Sequence, residues 1–167
     1  MKTRLPEKNE AMQKWNETSR DRMDEELQRF RGTWKQIFYE RDGVTDPPDE
    51  QGWDPITTFT AAEFVVTLAD GSIPIKGTYR IDPTRNPKAV DWMDTIGEDA
   101  GKTLLAIYAF QEDRLIFCAA YPGRERPTEF RTRPGQVLRV FQREAGEQRK
   151  MRAHGLREVT RDPNRKS

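Results

Sequence analysis

Residues 75–82 read Ile75-Lys76-Gly77-Thr78-Tyr79-Arg80-Ile81-Asp82, with Ile75, Gly77, Tyr79 and Ile81 on one side and Lys76, Thr78 and Arg80 on the other. A period of two is the signature of a strand with one buried and one solvated face. Pro83 follows at once. Its fixed φ and missing N–H stop the strand there. Outward from this stretch the same texture repeats: short apolar runs separated by turn residues at intervals of about 10 residues, as in a sandwich or barrel.

Strands are predicted over 33–41, 56–60, 62–69, 74–82, 87–95, 102–111, 114–121 and 136–143. Asp70-Gly71, Asp82-Pro83, Gly97, Asp113, Pro122-Gly123 and Pro134-Gly135 punctuate them by supplying positive φ, a fixed φ or a local side-chain cap. No long amphipathic helix interrupts the run, so parallel crossovers are not expected and an up-and-down meander is the economical topology. The predicted fold is mainly β, an eight-stranded antiparallel up-and-down barrel with an N-terminal helix. Thr103 to Phe110 and Leu115 to Tyr121 are apolar on both faces. Something is therefore expected to cover their outer side, and the candidates are the N-terminal helix and a second protomer.

Three segments follow from this pattern: a charged helical extension over residues 1–30, the barrel over 31–144, and a charged, flexible tail over 145–167. In the first, Met12, Trp15, Met23, Leu27 and Phe30 fall near one face, and Glu10 with Lys14 and Glu25 with Arg29 stand at i, i+4 spacing. The loop over residues 42–55 carries Pro47, Pro48 and Trp53 and is placed as a lid over the barrel mouth.

Hydrophobic and charged residues each make up 34% of the chain, and mean hydropathy is -0.96. A composition this polar puts part of the chain outside the core. Net charge is +1, so no global field draws the protein to nucleic acid, and nucleic-acid binding is not expected. The first ten residues hold no apolar leader and no run is long enough to span a bilayer. The lone Cys118 cannot form an internal disulfide. Together these features predict a cytoplasmic protein.

Catalytic patterns are absent from the string. The only histidine, His154, lies in the tail, which leaves no Ser-His-Asp triad, no Cys-His pair within the barrel and no multi-His metal centre. Glu98-Asp99-Ala100-Gly101-Lys102-Thr103 ends like a phosphate loop but lacks the earlier glycine and leads into a strand. No cofactor or metal is expected.

Arg31-Gly32-Thr33-Trp34-Lys35 at the head of the meander resembles the Gly-x-Trp signature of lipocalin-like barrels. Further stretches are Gly77 to Thr84, Asn86 to Asp91, Gly101 to Tyr108, Pro122 to Phe130 and Gln136 to Leu138. In order, over about residues 27 to 144, they resemble an uncharacterised lipocalin-like domain family abundant in planctomycete bacteria. That resemblance implies the barrel and no particular reaction. It also implies that Trp34 closes one end, with Arg143 or Arg139 of the last strand stacked across the indole. Many members carry secretion signals, whereas this chain opens on a charged helical segment.

The ligand-binding candidates are Tyr79, Trp92, Tyr108 and Phe117 as inward residues that line a cavity or fill it. Arg124, Arg126 and Arg131, with Arg133, form a basic rim suited to an anionic head group or pair locally with Glu125 and Glu129. Three functions follow as expectations: a non-enzymatic module for a small hydrophobic or amphipathic ligand with its polar end at that rim; an assembly component using residues 1–30 and the outer barrel face as a homodimer or partner contact; and an enzyme with a mouth site built from Asp91, Tyr108 or Arg126.

Overall fold

A computed structural model describes residues 5–47 and 54–145 of the chain. The first element, α1 (Leu5–Phe30), carries Pro6 in its opening turn and is rich in Glu, Gln, Lys, Arg, Met and Leu, all strong helix formers. At 1.5 Å per residue it is about 39 Å long. Among residues 9–30 of the helix, only Ser19, Met23, Glu26, Leu27 and Phe30 are withdrawn from solvent, a stripe confined to its C-terminal part.

Nine strands follow: β1 (Gly32–Arg41), β2 (Val44–Thr45), β3 (Ile56–Phe59), β4 (Glu63–Thr67), β5 (Ile75–Asp82), β6 (Lys88–Ile96), β7 (Thr103–Gln111), β8 (Arg114–Ala120) and β9 (Gln136–Arg143). Each of the eight predicted strands has its counterpart here. The two-residue β2 was not anticipated; it doubles back on Glu40 and Arg41 at the end of β1. Every pairing is antiparallel, and β1 pairs with both β3 and β9, closing an eight-stranded barrel that leaves no long edge exposed.

Two irregularities set which side chains look inward. The β1–β9 register shifts between Gln36 and Phe38, so Trp34 and Gln36 face the interior, Phe38 faces out, and Tyr39 returns inward. A second shift at Lys76/Gly77 brings Asp94 opposite Gly77. Gly77 is required there, since a Cβ would stand 1.9 Å from the Met93 carbonyl oxygen.

The end of the barrel where β1 begins is sealed by α1. Phe30 stands among Phe59, Tyr79, Tyr108 and Phe110, with ring centres 4.8 to 5.5 Å away. Glu26 beside it takes Lys88 Nζ at 2.6 Å and the Tyr108 hydroxyl at 3.1 Å, which ties the helix to the rim. The outer face of β7, β8 and β9 is covered otherwise than expected. Phe130, from the connection between β8 and β9, packs with Phe38 and Ile116 on Ile107, Cys118 and Leu138. Part of that cover thus comes from within the barrel chain itself, since the connection carries the apolar side chain. Residues 48–53 of the predicted lid, with Pro48 and Trp53, lie outside the described residues, as does the tail from Gly146 onward with His154.

A cavity in the open half of the barrel

Opposite the sealed end, the interior holds a cavity of about 130 Å³. Pro55, Val66, Ile75, Trp92, Leu104, Phe117, Ala119, Val137 and Phe141 give it an apolar wall, and Gln36, Thr57, Asp94, Asp99 and Arg139 interrupt that wall with polar groups. A volume close to the ~150 Å³ that accommodates benzene suits one ring or a short chain, and the open mouth leaves room for substituents.

Trp92 organises one wall. Its ring stacks on Phe64 at 3.5 Å and meets Phe117 at 5.3 Å, and its Nε1–H donates to Asp94 Oδ1 at 2.7 Å. The i, i+2 spacing on β6 puts both side chains on the inward face. Asp94 is only 6% exposed. Burial pushes its carboxyl above the ordinary carboxylate value; the Trp92 hydrogen bond opposes the rise, the nearby Asp99 carboxylate adds to it, and Arg139 opposes it. Thr57, which is 2% exposed, lines the same cavity, and among the described residues no buried side-chain nitrogen or oxygen lacks a hydrogen-bond partner.

A second wall comes from β9 and β1. Arg139 donates from Nη1 to Gln36 Oε1 at 2.7 Å and stacks over Tyr39 at 4.2 Å. These contacts fix a guanidinium at the cavity's edge, where a planar fork suits a carboxylate.

The residues singled out from the sequence scatter. Trp92 and Phe117 line the cavity. Tyr79 and Tyr108 sit instead in the sealed half around Phe30; the Tyr79 hydroxyl donates to Thr60 O at 2.6 Å, and burial pushes it up to about 12. Arg126 lies on the outer wall, donating to the carbonyls of Val90 and Ala106 and to Asp91 Oδ1 at 2.6 Å. Arg124 packs against Gly135, and Arg131 pairs with Glu129 at 3.1 Å, as Arg133 does at 3.8 Å. The basic rim is therefore met locally by acids and backbone, and Asp91, Arg126 and Tyr108 do not share one mouth. Gln36, Thr57, Asp94 and Arg139, which do line the cavity, were not foreseen as site residues. A clue was present: Asp94 lies two residues from Trp92, and Arg139 midway between Val137 and Phe141.

At the sealed end, Trp34 is fully buried, and the Arg143 guanidinium lies 4.2 Å from its ring centre. No protein-family model matches the chain, and no curated protein shows significant sequence similarity to it. Among the described residues no helix is long and apolar enough to cross a membrane, and no group of three or more His, Cys, Asp or Glu could hold a metal ion.

Proposed function

We propose that this protein is a non-enzymatic, lipocalin-like module that binds a small amphipathic molecule in the open half of its barrel. The observation that carries the reading is the cavity itself: an apolar wall of ring size, with two largely buried polar residues, Asp94 and Thr57, in its lining. Apolar walls left bare in a cavity forfeit packing contacts, and an occupant restores them. The ligand's polar end belongs at Gln36, Asp94 and Arg139 rather than at the rim formed by Arg124, Arg126 and Arg131. Kinship with the lipocalin-like family of planctomycete bacteria is part of the same proposal, supported by the buried Trp34 under Arg143. Cytoplasmic action is also proposed, on the strength of the lone thiol.

Native mass spectrometry after gentle purification tests the reading. A bound small molecule is expected on the wild-type protein and is expected to be lost in Ala119→Leu, which fills the cavity. An unadorned mass in both, together with no change in stability on filling, would count against it.

A second reading, assembly through α1, is favoured by Met12 and Trp15, which are 63% and 69% exposed and continue the stripe that further along seats Met23 and Phe30. The occupant would be a second copy of the chain. Analytical ultracentrifugation of wild type and Trp15→Glu decides it, since a monomer in both removes the idea.

A further inference from the structure

We infer that the cavity selects an uncharged molecule one ring in size, a neutral aromatic alcohol in class, and rejects the anionic and cationic counterparts of the same shape. This rests on the binding reading above and deepens it to a ligand class.

The three charged residues that line the cavity are already answered from within the protein. Arg139 donates to Gln36 Oε1 at 2.7 Å, stacks over Tyr39, and acts on the Asp94 carboxyl. Asp94 in turn accepts from Trp92 Nε1 at 2.7 Å, and Asp99 pairs with Lys102 at 3.4 Å. Among the described residues no buried side-chain nitrogen or oxygen lacks a hydrogen-bond partner. The polar part of the lining is therefore a completed network whose charges balance one another.

A charged ligand finds no counterpart in such a site. Entering it strips water from the ion, and inside a protein only an opposite charge makes that loss good. A guanidinium fork suits a carboxylate, but here the carboxylate would compete with Gln36 for Arg139 and share the space with Asp94 and Asp99. An ammonium would compete with Arg139 for Asp94 and share the space with that cation. Each ion thus undoes a pairing that already exists, and the site discriminates against both signs. A hydroxyl undoes none, because it is donor and acceptor at once and joins a network without altering its charge. The rest of the molecule is set by the apolar wall: about 130 Å³ matches one ring, and Trp92, Phe117 and Phe141 offer aromatic contacts to it.

The test uses the full chain at pH 7 and three probes of one skeleton, benzyl alcohol, benzoate and benzylamine, titrated by calorimetry or by ligand-observed NMR. The alcohol is expected to bind about tenfold or more tighter than either ion, a modest share of the cost of burying an unpaired charge. Ala119→Leu, which fills the cavity, should abolish its binding. Asp94→Asn removes the carboxylate that balances Arg139, so benzoate should gain about tenfold relative to benzyl alcohol. Thermal unfolding verifies that the variants fold, and the wild-type ranking decides alone where one does not. Benzoate or benzylamine binding as tightly as the alcohol overturns the inference and leaves the binding reading standing. Alcohol binding that survives Ala119→Leu, or a benzoate ratio unmoved by Asp94→Asn, overturns it as well. Binding of none of the three also overturns it, and the native mass spectrum then judges the broader reading separately.

Discussion

Arg143 and Trp34 hold the end of the helix between them. The guanidinium lies over the indole at 4.2 Å and donates to the carbonyls of Arg29 and Arg31, and the indole N–H donates to the carbonyl of Phe30 at 2.8 Å. Three consecutive carbonyls, the last two of α1 and that of Arg31 just past it, are satisfied by two side chains from the first and last barrel strands.

Arg143→Ala removes two of those donors and uncovers the ring. It is expected to lower stability by about 2 kcal/mol, and Arg143→Lys should recover only part, because an ammonium cannot stack and fork at once. Urea unfolding of the three proteins measures this; equal midpoints would show that the cap contributes nothing.

Glu26 joins the helix to the barrel through Lys88 and Tyr108. Glu26→Ala leaves the buried Tyr108 hydroxyl without its acceptor, and a loss of about 2 kcal/mol is expected after discounting for the partly exposed lysine. Hydrogen exchange should rise over Met23 to Phe30 before it rises in the strands. Uniform acceleration across the chain would contradict this latch.

Asp94 makes stability fall as pH rises. Its folded carboxyl is raised above the ordinary value of 3.8, so between the unfolded and folded titrations the folded state binds more protons. The resulting penalty is absent below 3.8, grows as pH climbs, and is complete above the folded titration. Asp94→Asn should therefore stabilise the protein at neutral pH and flatten this part of the profile, with Asp99 and Arg139 unchanged. Thermal melts across pH check the sign, and a variant less stable than wild type at pH 7 contradicts it.

Cys118 is fully buried between the β-wall and the β8–β9 connection, and burial, with Glu40 nearby, pushes its thiol up to about 11. Iodoacetamide should label it slowly at pH 8 in the folded protein and rapidly in denaturant. Fast native labelling would mean that the connection opens readily.

Gly77→Ala tests the bulge that aims Asp94 into the cavity. A Cβ 1.9 Å from backbone cannot be absorbed by a rotamer change, and a loss of about 3 kcal/mol or outright failure to fold is expected. A stable variant with unaltered ligand binding would remove the bulge from the design of the site.

Strands and turns were legible because their chemistry is local. Gly71, Gly97, Gly123 and Gly135 all adopt positive φ at the predicted turns, and Ile75 to Ile81 alternate as read. The cavity was hard to see for the opposite reason. Inward polar residues such as Gln36, Asp94 and Arg139 look, one at a time, like solvent-facing positions, and the bulge at Ile37 reverses the parity of β1 without any mark in composition. Phe30 reads as the last apolar residue of a surface helix; that it fills the barrel end depends on where the helix lands. The outer cover by Phe130 is likewise a long-range outcome, fixed by Thr132 on Glu40 and by Gly135 on Asp42.

The hydrogen bond from Glu144 N to Thr33 O brings the two places where the backbone enters and leaves the barrel side by side, on the face away from the cavity. Both connections of the barrel to its flanks therefore lie at one pole, and the cavity lies toward the other.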